Sequence, residues 1–102
     1  MITTVDGLRF GQLIISSSGR DSNQIGLIIG MIDDHYIEIA DGIIHPVARA
    51  KKKNVKHVKV KMLIAKEIEE SLLKGESIGD IQVKEAIKRL KNELEEGERF
   101  DG

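Results

Sequence analysis

Between Phe10 and Gly42 the chain runs through three short isoleucine-rich segments, each bounded by Gly, Ser, Asn or Asp. That punctuation favours short β-strands joined by tight turns. The segments are Phe10-Gly11-Gln12-Leu13-Ile14-Ile15, Ile25-Gly26-Leu27-Ile28-Ile29-Gly30-Met31-Ile32 and Tyr36-Ile37-Glu38-Ile39-Ala40-Asp41. The first two carry more apolar residues than simple alternation allows, as in strands of a closed or nearly closed small barrel. Gly26 and Gly30 mark the bends or bulges that such a barrel needs. The third alternates, with Ile37 and Ile39 on one face and Tyr36 and Glu38 on the other. Asp33-Asp34-His35 and Asp41-Gly42 are the turns, and turn geometry explains Asp at these positions without a metal.

Downstream, Ile43-Ile44-His45 is expected to be extended, restricted by Pro46, with His45 an exposed edge residue. Val47 to Asn54 is a basic connection. His57-Val58-Lys59-Val60-Lys61-Met62 alternates strictly and predicts the last strand, with Val58, Val60 and Met62 inward and His57, Lys59 and Lys61 outward. From Leu63 the period becomes helical. Ile64, Ile68 and Leu72 form a stripe widened by Leu73, and Glu67, Glu69 and Glu70 face water. Lys74-Gly75 ends this helix. A second starts near Gly79 or Asp80, carries Val83, Ala86, Ile87, Leu90 and Leu94 on one face, and stops at Gly97. Met1 to Asp6 is a loose leader. The expected fold is mainly β: a small five-stranded SH3-like barrel (1–61) followed by a C-terminal helical hairpin (62–102), together one structural domain. A hairpin of this length needs tertiary packing, so its apolar stripe must cover the barrel or another protein.

The length of 102 residues suits one small domain. There is no cysteine, hence no disulfide or thiol–metal site, and His35, His45 and His57 lack tight ligand spacing. No apolar run is long enough to span a bilayer and no signal peptide opens the chain, so a cytoplasmic location is expected. No nucleophile elbow, phosphate-binding loop or His–Glu helix pair is present, so neither catalysis nor a cofactor is expected. The net charge of −1 conceals an asymmetry. Residues 1–61 hold nine Lys or Arg against six Asp or Glu, whereas residues 62–102 hold seven against eleven.

The basic part places its cations beside a polar loop, Ser16 to Gln24. Arg20 next to Gly19 offers a guanidinium fork and exposed backbone N–H groups to one phosphate. Arg49, Lys51, Lys52 and Lys53 supply point charges for a nucleic-acid backbone. Lys59 and Lys61 extend that patch along one strand face, and His57 offers a base or phosphate contact. Aromatic content of 3% leaves little for base stacking. On the second helix, Lys84, Lys88, Arg89 and Lys91 are expected to pair on the surface, with Glu85 and Glu95 one turn from Arg89 and Lys91.

The pattern Gly11-Gln12-Leu13-Ile14-Ile15, Ser18-Gly19-Arg20-Asp21, Leu27-Ile28-Ile29, Ile32-Asp33-Asp34 and Ala40-Asp41-Gly42 resembles a KOW motif. It is similar to bacterial KOW-domain proteins related to an archaeal and eukaryotic large-subunit ribosomal protein. Those proteins follow their strands with a lysine-rich run and a Lys-His pair, here Lys51-Lys52-Lys53 and Lys56-His57, and often continue into two helices. The resemblance implies an SH3-like barrel and non-catalytic RNA binding. It also implies a role in translation, with ribosomal or other structured RNA as partner. Some KOW domains instead bind proteins, which makes the alternative an adaptor of the translation or transcription machinery that binds a ribosomal or other protein through the barrel or through the helical stripe Val83, Ile87 and Leu90. One departure is the loop's end, where Gly-Lys is common and this chain has Asn23-Gln24. Asn accepts the left-handed backbone that Gly supplies, but the lysine's phosphate contact is missing.

Overall fold

The computed structural model describes residues 4–17, 19 and 22–101, the last five by their backbone. The three isoleucine-rich segments form β1 (Gln12–Ser16), β2 (Ile25–Met31) and β3 (Tyr36–Ala40). With β4 (Lys51–Asn54) and β5 (Val58–Ile64) they make a five-stranded antiparallel sheet in the order β4-β3-β2-β1-β5. Only a 3-10 turn, Val55–His57, separates β4 from β5, although these strands lie at opposite edges. A chain that leaves one edge and enters the other three residues later forces the sheet to curl. The sheet remains open, because no ladder joins β4 to β5 among the described residues.

Both faces of the curled sheet are apolar, as the double-sided segments require. One face gathers Ile14, Ile28, Ile37, Ile39, Val55 and Val58, with Val5, Leu8 and Phe10 packed over them. The N-terminal segment therefore does not hang loose at residue 5, whose N–H also donates to the Asp34 carbonyl at 2.8 Å. The other face, Leu13, Leu27 and Ala40, is covered by α1 (Lys66–Leu73) and α2 (Asp80–Asp101) through Ile68, Val83, Ala86 and Leu90. The helical stripe is thus spent on the sheet. Burying each large aliphatic side chain contributes about 1.5–3 kcal/mol, which outweighs the marginal stability of helices this short.

Several local expectations hold in atomic detail. Asn23 adopts φ 70°, the left-handed conformation that the hairpin needs. Gly30 sits at a one-residue register shift between β2 and β3. α1 ends in a Schellman arrangement at Gly75 (φ 77°), with Glu76 N–H on the Ser71 carbonyl at 2.8 Å and Gly75 N–H on Leu72 at 3.1 Å. Asp33 Oδ1 accepts from the His35 and Tyr36 N–H groups at 2.8 and 3.0 Å, which fixes the β2–β3 turn.

Other expectations are corrected. The fourth strand is Lys51–Asn54, within the segment read as a connection. Ile43-Ile44-His45 is instead a turn, gathered by Asp41 Oδ1, which accepts from Ile43 and His45 N–H at 2.8 and 2.9 Å. His45 is half-buried rather than exposed. The first strand begins at Gln12, because Phe10 and Gly11 form a turn. Met62 is 88% exposed, since a register shift opposite Gln12–Ile14 breaks the alternation of β5. That strand runs on through Ile64, so Ile64 belongs to the sheet, and Leu73 is exposed. Glu69 is mostly covered and binds Arg9. Gly97 does not end α2, which continues to Asp101. A glycine inside a helix costs only about 1 kcal/mol relative to alanine.

Candidate functional site

The β1–β2 loop and the start of β5 are joined by a short set of backbone bonds. Ser16 N–H donates to the Gln24 carbonyl at 2.9 Å and Asn23 N–H to Ser16 at 2.7 Å, which closes the loop. Ser17 N–H then donates to the His57 carbonyl at 2.9 Å. Within the loop, Ser22 Oγ donates to the Gly19 carbonyl at 2.8 Å. Gly19 is exposed at φ 75°, and a side chain there would meet only open space, so backbone conformation alone favours glycine. Arg20 lies outside the described residues. Next to His57 stand Lys56 and Lys59, all three exposed. Asn54 caps the 3-10 turn that presents them, its Oδ1 accepting from Lys56 N–H at 3.0 Å. Lys59 lies across from Ile15 on β1. Lys61 follows in the irregular stretch of β5, half-buried, its carbonyl accepting from Gln12 Nε2 at 3.1 Å.

The lysine run of β4 is divided by its strand geometry. Lys51 and Lys53 lie opposite Ile39 and Ile37, and Lys52 lies opposite Glu38. Directly paired residues share a face, so Lys52 points away from its two neighbours. Lys53 is only 9% exposed. The Lys52 ammonium sits 4.6 Å from the centre of the Tyr36 ring. Arg49 is exposed in a separate 3-10 turn, Val47–Arg49. Thus Lys56, His57 and Lys59 stand at the start of the β1–β2 loop, where the Ser17–His57 bond ties them, whereas Lys51, Lys52 and Lys53 lie on β4, at the other end of the strand order from β5, and Arg49 in the turn before it.

No protein-family model and no curated protein matches the chain.

Elsewhere, an open groove of about 500 Å³ lies between the β1–β2 loop, the Asp41–His45 turn and α2. Ile25, Ile43, Ile44 and Ile87 line it, with Lys84, Lys88 and Lys91 along one wall, Asn23 and Gln24 at the loop end, and one carboxylate, Asp41, whose Oδ1 is engaged by the N–H groups of its own turn. Sequence reasoning missed this site. The i, i+4, i+7 spacing of the lysines was visible, but surface pairing was the expectation. Among the described residues none of these three lysines pairs with a carboxylate, and Arg89 reaches across to Glu67 on α1 at 2.5 Å rather than to Glu85.

Among the described residues no cluster of three His, Asp or Glu could hold a metal, and no helix is long and apolar enough to cross a membrane. Two of the displaced carboxyls sit in ion pairs and the third in a turn. Glu69 is held below its ordinary range chiefly by the Arg9 hydrogen bond, and Asp33 chiefly by the His35 N–H. Burial acts to raise Glu67, but the Arg89 hydrogen bond and charge leave it lowered.

Proposed function

We propose that this is a non-catalytic, cytoplasmic RNA-binding protein of the KOW type. Its curled sheet serves as an SH3-like barrel, and it acts on ribosomal or other structured RNA in translation. The observation that carries the reading is the bond from Ser17 to His57, which ties the glycine-bearing loop to the exposed row Lys56, His57 and Lys59. Loop N–H groups near Gly19, together with Arg20, meet one phosphate, and Lys56 and Lys59 meet others. Lys51, Lys52, Arg49 and Lys61 add charge from the flanks, while Lys53 acts mainly within the sheet. Roughly four phosphate contacts give a log–log salt slope of about −3 to −4.

The test is RNA binding by Lys56→Glu/Lys59→Glu. Both side chains are exposed, so the fold should tolerate the change. The affinity for a structured RNA should fall at least about tenfold, and the salt slope should lose roughly 2. Unchanged affinity and slope would remove this surface from the interface. Replacing all of Lys51–Lys53 is a poorer test, because Lys53 is buried. The adaptor reading loses Val83 and Leu90, which lie in the core, and keeps the half-buried Ile87 together with exposed apolar residues such as Ile43, Ile44, Ile81 and Met62.

A further inference from the structure

We infer that the groove between α2 and the Asp41–His45 turn is a second nucleic-acid site, holding an unpaired RNA segment with its phosphates along α2 and its bases on the isoleucines. The inference rests on the RNA-binding reading and extends it to a surface that reading does not use. Three observations carry it. Lys84, Lys88 and Lys91 line one side of the groove without a carboxylate partner among the described residues. At 1.5 Å rise per residue they span about 10 Å of helix, room for successive phosphates of one strand. The opposing Ile43 and Ile44 are 72% and 59% exposed, on a turn that Asp41 Oδ1 holds through two backbone N–H bonds. The isoleucines offer base faces van der Waals contact rather than aromatic stacking, and such faces are exposed in unpaired loops and bulges but not in continuous duplex.

The third observation is continuity. Asn23 and Gln24 line the groove and close the same loop whose other end is bonded to His57. Asn23 and Gln24 thus set one end of that loop at the groove, and Ser17 sets the other beside the Lys56–Lys59 row. The wall is also positioned tightly. Gly42, at φ 80°, leaves no room for a Cβ, which would lie 2.6 Å from the Asp80 carbonyl oxygen and 2.7 Å from Lys84 Cγ. Asp80 Oδ1 in turn accepts from Val47 N–H at 2.8 Å, fixing the turn to the start of α2.

The experiment compares the full chain with Lys84→Gln/Lys88→Gln/Lys91→Gln and with Ile43→Ser/Ile44→Ser. The probes are a hairpin RNA with a ten-nucleotide loop and the same stem as blunt duplex. Wild type should prefer the hairpin. The lysine variant should lose that preference and about 2 from the salt slope, at roughly 0.7 per single-strand phosphate. The isoleucine variant should lose affinity for the hairpin severalfold with the slope unchanged. If wild type binds RNA and both variants bind the hairpin as it does, the groove proposal is overturned while the RNA reading stands. If wild type binds neither RNA, both fall. If a Glu/Leu amphipathic peptide binds in the groove and hairpin RNA does not displace it, the groove is a protein site and the proposal is overturned.

Discussion

Two charged regions of this protein behave in opposite ways. At the joint between β1 and α1, charge is consumed by the fold. Arg9 donates from Nε and Nη2 to the two Glu69 carboxylate oxygens at 2.7 and 2.6 Å, and Gly11 packs against Ala65. Around the 3-10 turn before β5 and along the groove wall of α2, Lys56, Lys59, Lys84, Lys88 and Lys91 stay exposed. A cation already matched to a carboxylate gains little from a ligand. One left in solvent keeps its counterions to release. The comparison divides the molecule: changes at the joint should cost stability, and changes at the lysine surfaces should cost binding.

The largest effect expected is Gly11→Ala. At φ 78° its Cβ would lie 2.6 Å from the Ala65 carbonyl oxygen, a backbone atom that cannot step aside. Destabilisation of at least about 2 kcal/mol is expected in chemical denaturation, with RNA affinity per folded molecule unchanged. The converse should hold for Lys56→Glu/Lys59→Glu, whose folding free energy should stay within about 0.5 kcal/mol of wild type. Loss of folding in that variant, or loss of RNA affinity in folded Gly11→Ala, would break the division.

A smaller effect sharpens it. The Glu69 carboxyl is held low in the folded protein, so its contribution is complete above the unfolded value of about 4.3. That contribution fades as pH falls through the lower folded value. Wild type should therefore exceed Glu69→Gln in stability at neutral pH, and the gap should close on acidification below about pH 4. A gap independent of pH would mean that packing, not charge, holds the joint. The smallest effect concerns Ser16. Its Oγ is buried with no hydrogen-bond partner among the described residues. Ser16→Ala should be neutral, or more stable by up to about 1 kcal/mol, as thermal melting would show.

The regions also differ in how far the sequence reveals them. Turn and cap chemistry is local, so Asn23, Gly30, Asp33 and Gly75 could be placed from their neighbours alone. The same is true of the helical stripe Val83, Ala86 and Leu90. β4 could not. Lys-Lys-Lys-Asn has poor strand propensity and becomes a strand only because β3 offers it a partner. Met62 misled because a register shift is a property of two strands, and strict alternation in one does not reveal it. The groove needed the fold itself, which sets residues 41–44 against 84–91 across forty positions of chain. Of the expected site, one backbone bond sets Ser17 at the start of the loop against His57, between Lys56 and Lys59, while the lysine run divides between two faces.

The most direct test of the RNA-binding account is a residue-resolved map of the bound state. Backbone amide shifts of the isotope-labelled protein would be recorded while the hairpin RNA is added. The account predicts the largest changes at Ser17, Gly19, Lys56, His57 and Lys59, with a second group between Lys84 and Lys91. Saturating RNA that leaves these amides unmoved, or moves chiefly α1 and the exposed Met62 and Leu73, would contradict it.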